Sequence, residues 1–288
     1  MDVTSRIERS LSEALAKADI PGCPPRLAAA MRHAVFPRGA RVRPRLCYAV
    51  AAACGEDHPA ATESAGAALE LLHCASLVHD DLPCFDAADT RRGRPSVHKA
   101  FGEPLAVLAG DALIVLAFQT LASIPCAPER LALLTLTIAR SVGVPSGIVA
   151  GQAWECESQI DLAHYHRSKT GALFAAATVA GAASAGADAE PWRMVGEKLG
   201  EAYQVADDLR DAAADEDEIG KPVGRDFALG RPSAVIELGM DGALYRLQQL
   251  VHGAIDAMPP CENGSELRSL MLSEAKRLLP KKLAQFAA

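Results

Sequence analysis

Residues 77–95 read LVHDDLPCFDAADTRRGRP, so an apolar segment leads into four aspartates within ten positions, and three arginines follow almost at once. Carboxylates this close repel one another, and beside a partly buried surface they cost free energy unless a cation neutralises them. Mg²⁺ is typically held by one or two carboxylates together with substrate phosphates. Arginines suit those phosphates, because a guanidinium matches a phosphate with two parallel hydrogen bonds. The pattern indicates a site for a metal-bound phosphate, although an isolated charge run is more often a solvated loop.

A second acidic cluster downstream favours the metal site over the solvated loop. Asp207, Asp208 and Asp211 follow an apolar segment, and on a helix their spacing places all three carboxylates on roughly one face. Like charges at these spacings destabilise an isolated helix by roughly 0.2–0.5 kcal/mol per pair. We therefore expect this face to bind a cationic ligand.

Composition and periodicity predict an all-α protein. Half of the 288 residues are apolar but only 5% are aromatic, and the enrichment is in alanine and leucine, which form helices readily. No strand alternation and no Gly/Ser linker divides the sequence, so we expect a single domain over residues 1–288. Helices are expected at residues 3–18, 27–33, 44–53, 60–79, 104–121, 128–142 and 147–155, across the second acidic cluster, and twice between residues 243 and 288.

Proline controls how the first acidic cluster is built. Pro83 should end the preceding helix near Asp80, because proline disfavours helix in the residue before it and lacks an N–H donor. On an unbroken helix Asp80 and Asp86 would point apart. The loop after Pro83 must therefore bring Asp86 back if both carboxylates are to hold one ion.

Charge and hydropathy exclude several classes of protein. The net charge is −7 and there is no basic tail, so nucleic acid is not an expected partner. The N-terminal segment lacks the features of a signal peptide, and the apolar runs 105–118 and 131–139 fall short of a membrane span, which predicts a cytoplasmic protein.

Eight cysteines without a C-x-x-C pair are expected to be reduced, and a metal role for His164 and His166 is disfavoured. Asp111, inside the first of these runs, is expected to be a buried hydrogen-bonding partner.

Cations beside glycine recur along the chain and suit an anionic substrate. The segment 36–45 carries four arginines around Gly39, the segment 169–171 reads Lys-Thr-Gly, and Lys221 and Arg231 each adjoin a glycine after the second acidic cluster. A protein that binds a diphosphate through Mg²⁺ needs carboxylates for the metal and cations for the phosphates, and this sequence has both. No Ser-His-Asp order is visible, so electrophilic chemistry is favoured, with apolar helices forming a dry pocket for a hydrocarbon chain.

These motifs resemble the trans-isoprenyl diphosphate synthases, and most closely the bacterial geranylgeranyl diphosphate synthases of carotenoid and bacteriochlorophyll pathways. The similarity covers nearly the whole chain, at residues 38–44, 70–95, 110–111, 151–155, 169–174, 204–211 and 220–224. It implies a helical bundle around a deep central cavity and a homodimer. It also implies that an allylic diphosphate held by three Mg²⁺ ions ionises, and that the double bond of isopentenyl diphosphate then attacks the cation.

The resemblance assigns roles to individual residues. Metal binding would fall to Asp80, Asp81, Asp86, Asp207, Asp208 and Asp211. The allylic diphosphate would be faced by Arg91, Lys169, Thr170, Gln204 and Lys221, with Arg91, Lys169 and Gln204 acting in catalysis. Isopentenyl diphosphate would be held by Arg43, His73 and Arg92, and Arg41 and Arg231 are further expected substrate contacts. One departure is Ala40, which stands where the family usually has a lysine, so Arg38 or Arg41 would have to supply that charge. Arg231 also replaces a common lysine.

Product length follows from the side chains that close the pocket floor. In the family that the sequence resembles, the residues that close the floor lie four and five positions before the first aspartate. In this chain they are Ser76 and Ala75. On a helix they lie about one turn from the metal site, and small side chains leave room for a further isoprene unit. We therefore expect a product of twenty carbons, geranylgeranyl diphosphate. The alternatives are a farnesyl diphosphate synthase, a non-catalytic partner subunit of a prenyl synthase and a terpene cyclase.

Overall fold

A computed structural model describes residues 2–36, 39–158, 165, 167–213 and 233–278, and within these ranges the chain is helical apart from one short hairpin. The α-helices are α1 Val3–Ala16, α2 Pro25–Val35, α3 Val42–Ala53, α4 Pro59–Asp80, α5 Val97–Phe101, α6 Glu103–Ala122, α7 Pro128–Val142, α8 Ile148–Ala153, α9 Ala172–Ser184, α10 Trp192–Ala213, α11 Ala234–Asp256 and α12 Gly264–Leu278. A 3₁₀ turn, Trp154–Cys156, follows α8, and a π-helical turn, Arg167–Gly171, precedes α9. The all-α prediction is confirmed.

Local signals explain where several helices begin. The carboxylate of Asp2 caps α1 by accepting the N–H of Ser5 at 2.9 Å, and the Nδ1 atom of His58 accepts the N–H of Ala61 at the start of α4. Proline occupies the first turn of α2, α4, α6 and α7, where its missing N–H would have no helical partner. Within α11, Gly239 has a φ of 71° and interrupts the helix.

The core is centred on α4 and α9. Both helices are apolar on most of their circumference, and all residues of α9 from Leu173 to Ser184 are buried. A helix that is apolar nearly all round belongs in the interior, and α1, α3, α6, α7 and α10 supply the surrounding layer. A second apolar cluster lies between α10 and α11 and includes Val205, Leu209, Leu247 and Leu250. The two acidic clusters therefore sit at the end of one core helix and on the helix that packs against the other.

The sequence did not predict the short hairpin, and helix α5 was likewise not expected. Strand β1, Thr90–Arg91, pairs antiparallel with β2, Arg94–Pro95. Arg92 and Gly93 form the turn with positive φ angles of 54° and 73°. Two consecutive residues with positive φ characterise the two-residue turns that match strand twist. Strands of two residues are too short to produce a hydrophobic alternation, which is why the pattern was invisible.

Helix α6 is long and apolar enough to cross a membrane by length and composition, with 44% of its most apolar window buried. From the sequence we expected the corresponding run, 105–118, to fall short of a membrane span, because Asp111 interrupts it. One side of α6 packs against α4, as a core helix would, while Val107, Leu108 and Val115 remain exposed.

Candidate active site

The first acidic cluster forms where α4 ends. The helix stops at Asp80, and the chain then turns back so that the N–H of Asp86 donates to the carbonyl of Asp80 at 2.9 Å. Ala87 follows with a φ of 49°, an uncommon conformation for a residue with a side chain. The loop after Pro83 therefore returns Asp86 toward Asp80, as expected.

The two adjacent aspartates of this cluster have different environments. Asp81 is 2% exposed and accepts a hydrogen bond at 3.0 Å from Nε of Arg91, which also donates through Nη2. Burial raises the pKa of Asp81, and the bound guanidinium opposes that shift. Burial also raises the pKa of Asp80, to about 6, with Lys169 opposing and Asp86 adding to the shift. Asp81 thus anchors Arg91, while the charge of Asp80 is destabilised and suited to a cation.

The second acidic cluster lies on α10. Asp208 is 3% exposed and accepts hydrogen bonds from Nε2 of Gln204 at 3.0 Å and from the backbone N–H of Ala234 at 2.8 Å. The second bond fixes the start of α11. Asp207 accepts a hydrogen bond at 2.7 Å from Nη2 of Arg210, one turn further along the helix. Asp208 is therefore an anchor between elements, like Asp81 in the first cluster.

The π-helical turn before α9 connects the two clusters. The positive charge of Lys169 lowers the pKa of Asp80, against the effect of burial. Oγ1 of the next residue, Thr170, donates to Oε1 of Gln204 at 3.0 Å. Gln204 in turn holds Asp208. Consecutive residues of this turn thus interact with Asp80 of the first cluster and, through Gln204, with Asp208 of the second.

Lys169 is held by Glu155, a carboxylate that was not among the predicted site residues. Its Nζ donates to Oε1 of Glu155, which also accepts the hydroxyl of Tyr165 at 2.6 Å and, at Oε2, the amide of Gln152 at 2.9 Å. Burial lowers the pKa of Lys169, but Tyr165, Glu155 and Asp80 outweigh it and the net shift is upward. A side chain at Gly151 would overlap the backbone of Lys169, so glycine is needed for this close approach.

Arg41 is bound by groups of the protein itself. Its guanidinium is buried and donates to Glu8 at 3.0 Å, to Glu70 at 2.7 Å and to the carbonyl of Val35 at 2.9 Å. Glu70 is 1% exposed, so the pair lies in the interior, where an unpaired charge would be costly. Arg41 therefore ties α1 and α3 to α4, and the expectation that it contacts substrate stays a prediction.

Arg43 is held by aromatic rings. It is 8% exposed, and its guanidinium carbon lies 5.0 Å from the ring centre of Phe174 and 5.9 Å from that of Tyr203. Its Nε has no hydrogen-bond partner among the residues that the structure describes. Burial lowers the pKa of Arg43. A cation held mainly by ring faces keeps donors available for an anion.

His73 and Arg92 lie in the same region as Arg43. Burial lowers the pKa of His73 well below 6.5, and Arg43 and Arg92 add to the shift, so the imidazole is neutral at neutral pH. Arg92 lies 3.9 Å from the carboxylate of Glu70. A side chain at Gly39 would come within 2.6 Å of the Arg92 guanidinium, which shows how closely the loop before α3 approaches it.

The predicted floor residues lie one turn before Asp80 on α4. Ala75 is fully buried in the core, and Ser76 is half-buried with its hydroxyl donating to the carbonyl of His73. One mostly apolar cavity of about 40 Å³ lies between α3, α9, α10, α11 and α12, and a second of about 30 Å³ lies beside Asp81 and Arg91. Neither is lined by Ala75 or Ser76, so their role in product length stays a prediction.

Asp111 is not the buried hydrogen-bonding partner that we expected. Its side chain is 59% exposed and lies 3.9 Å from Nε2 of His79. The neighbouring Gly110 allows α6 to pack closely against His79, because any side chain at that position would overlap the His79 ring.

Comparison with known proteins decides the family. The polyprenyl synthetase family model matches residues 24–258. The chain is 50% identical over 285 residues to a geranylgeranyl diphosphate synthase of Cereibacter sphaeroides, covering 99% of both chains, and 50% identical over 280 residues to the one of Rhodobacter capsulatus, covering 97% of both. The chain belongs to the polyprenyl synthetase family.

A solved structure of a related enzyme has the same fold. A geranyltransferase from Helicobacter pylori, in complex with magnesium and isoprenyl diphosphate, matches with a TM-score of 0.79 and 28% identity, covering 95% of this chain and 97% of that one. Polyprenyl synthetases generally depend on Mg²⁺. The donor type here fits that ion, because Asp80, Asp86 and Asp207 offer carboxylate oxygens. Within the described residues no group of three His, Cys, Asp or Glu side chains is arranged to hold a metal ion by itself, so the aspartate ligands stay a prediction.

Several predicted residues lie outside the part of the chain that the structure describes. They are Arg38, His164, His166, Lys221 and Arg231. Glu155 and Tyr165, which hold Lys169, were not among the predicted site residues, and no motif marks Tyr165.

Proposed function

We propose that this polyprenyl synthetase is a Mg²⁺-dependent prenyltransferase that condenses isopentenyl diphosphate with dimethylallyl, geranyl and farnesyl diphosphates to make geranylgeranyl diphosphate. The proposal rests on 50% identity to geranylgeranyl diphosphate synthases over the full length. The observation that carries the chemistry is the turn containing Lys169 and Thr170, which faces both acidic clusters. The single domain would span residues 1–288 and act in the cytoplasm, in a pathway such as carotenoid biosynthesis.

The proposed metal ligands follow from the environments of the six aspartates. Asp80, Asp86, Asp207 and Asp211 would hold Mg²⁺, with three ions bound together with the diphosphate. Asp81 and Asp208 would instead orient Arg91 and Gln204. The bound ions would neutralise the charge that accumulates as diphosphate leaves carbon.

The proposed substrate contacts divide into two groups. Arg91, Lys169, Thr170, Gln204 and Lys221 would bind the allylic diphosphate, and Lys169 would exchange its bond to Glu155 for one to a phosphate oxygen. Arg43, His73, Arg92 and Arg231 would position isopentenyl diphosphate, with neutral His73 donating a hydrogen bond rather than a charge. Because Arg41 is committed to Glu8 and Glu70, we assign the charge of the missing lysine at position 40 to Arg38.

In the proposed reaction the allylic C–O bond breaks and its electron pair leaves with diphosphate. The double bond of isopentenyl diphosphate then forms the new C–C bond, and the lost proton passes to the released diphosphate. The cations of the site stabilise the leaving group, and the surrounding apolar helices exclude water from the carbocation.

A homodimer is part of the proposal. Helices α6 and α7 expose large apolar side chains, namely Val107, Leu108, Val115, Leu133 and Leu136. Apolar patches of this kind mark interaction surfaces. Light scattering should give the mass of two chains, and Leu108→Lys should shift it toward one, whereas a monomeric unsubstituted protein would contradict the dimer.

The reaction is tested by its dependence on both substrates. Purified protein is incubated with Mg²⁺ and geranyl diphosphate, with or without labelled isopentenyl diphosphate, and released pyrophosphate and label incorporation are measured. Release should require both substrates, and Asp207→Asn should abolish it while the exposed Asp241→Asn should not. Release from the allylic substrate alone would favour a cyclase, and no release in either case would favour a non-catalytic partner subunit.

A further inference from the structure

Arg210 places a positive charge inside the second acidic cluster. It stands one turn after Asp207 on α10 and donates Nη2 to Oδ1 of that carboxylate at 2.7 Å. Both side chains are partly exposed, at 28% and 37%, so the pair lies at the edge of the site. The guanidinium is hydrogen-bonded to a carboxylate oxygen of Asp207 that would also coordinate a metal ion.

An aromatic ring restricts where this guanidinium can lie. Tyr203, Asp207 and Arg210 follow one another at i, i+4 and i+7, so they share one stripe of α10. The guanidinium carbon of Arg210 lies 5.7 Å from the centre of the Tyr203 ring, which Arg43 also approaches at 5.9 Å. Nε of Arg210 is buried without a hydrogen-bond partner among the described residues. The ring and the carboxylate together hold the charge beside Asp207.

The charge of Arg210 changes what the cluster can bind. Asp207, Asp208 and Asp211 carry a formal charge of −3, and Arg210 reduces it to −2. An Mg²⁺ ion arriving alone must share Asp207 with the guanidinium and lie close to another positive charge, which lowers its affinity. A diphosphate brings negative charge that attracts both the ion and the guanidinium, so the penalty falls when ion and diphosphate bind together.

We propose that Arg210 is a positioning residue that couples Mg²⁺ binding at Asp207 to the presence of a diphosphate. The inference rests on the proposed function. By suppressing binding of the bare ion, Arg210 keeps the second cluster available for the metal that arrives with the allylic substrate.

The test measures metal binding without catalysis. Thermal unfolding of the full-length protein is followed against free Mg²⁺, first alone and then with saturating inorganic pyrophosphate. The variants are Arg210→Met, which removes the charge, and Arg210→Lys, which keeps it. The matched control is Arg193→Met, because Arg193 makes a similar pair with Glu190, three positions away and at the other end of α10.

Removal of the charge should lower the Mg²⁺ concentration at half-saturation about three- to tenfold for the ion alone, and by less than twofold with pyrophosphate. Arg210→Lys and Arg193→Met should stay within about twofold of the unsubstituted protein in both conditions. Unchanged or weaker Mg²⁺ binding by Arg210→Met would overturn the inference. No response of the unsubstituted protein to Mg²⁺ with pyrophosphate would instead overturn the proposed function, and this inference with it.

Discussion

Replacing Asp80 by Asn should stabilise the metal-free protein while removing its activity. The carboxylate lies at the end of α4, partly buried and close to Asp86. Burial is the main cause of its raised pKa, so the charged form is unfavourable in the folded state when no cation is bound. Asn has nearly the same shape without the charge.

The magnitude follows from the shift in pKa. Burial and Asp86 raise the pKa of Asp80 from 3.8 to about 6. Since each pKa unit corresponds to about 1.4 kcal/mol, the charge costs the folded state up to about 3 kcal/mol above pH 6. Solvent screening of the partly exposed group reduces this, and we expect Asp80→Asn to stabilise by about 1–2 kcal/mol. For a chain of this size that raises Tm by about 2–5 °C.

The assay is thermal unfolding with EDTA at pH 7.5 and at pH 5. The folded state retains the Asp80 proton up to about pH 6 whereas the unfolded state loses it near 3.8, so the unfolding free energy falls as pH rises through this window. The gain from Asn should therefore be fully present at pH 7.5 and fall to about half of that value at pH 5, which lies midway between the two pKa values. Asp241→Asn, at an exposed position, is the control and should change little at either pH. An Asp80→Asn protein no more stable than its parent at pH 7.5 would refute the reasoning.

Three further predictions concern other parts of the site. Ser76→Phe should shorten the main product from twenty to fifteen carbons, measured by chromatography of the dephosphorylated products, while Ser76→Ala should leave it at twenty. An unchanged product with Phe would show that Ser76 does not form the pocket floor. Arg41→Met should destabilise the protein by about 3–5 kcal/mol in urea unfolding, because buried Glu70 loses its partner, and a change below about 1 kcal/mol would contradict the structural role. Because the pKa of His73 lies well below 6.5 in the folded state, the unfolded state binds more protons below that pH and the unfolding free energy should fall as pH decreases from about 6.5. His73→Gln should lose this component between pH 7.5 and 5.5, and identical pH profiles would count against a buried neutral imidazole.

Local sequence predicted the parts of the site that depend on short-range rules. Pro83 ends α4 at the first aspartates, and the spacing of Asp207, Asp208 and Asp211 defines one face of α10. Both follow from the geometry of a helix and the chemistry of proline. The resemblance of the motifs then gave the family, which the comparisons confirmed.

Contacts between distant segments could not be read from the sequence. Arg41 looks like any other arginine of a basic loop until the fold places Glu70 against it from 29 positions away. Asp208 is likewise indistinguishable from Asp207 until the N–H of Ala234 occupies its carboxylate. Partners such as these are set by tertiary packing, and they separate residues that anchor the site from residues that face the ligand.

The measurement that tests the central claim most directly is the length of the product. The purified protein is incubated with Mg²⁺, labelled isopentenyl diphosphate and, separately, five-, ten- and fifteen-carbon allylic diphosphates, and the dephosphorylated products are separated by chromatography. We predict a twenty-carbon alcohol from all three primers. A fifteen-carbon end point would contradict the geranylgeranyl product while retaining the reaction, and no elongation of any primer would contradict the account as a whole.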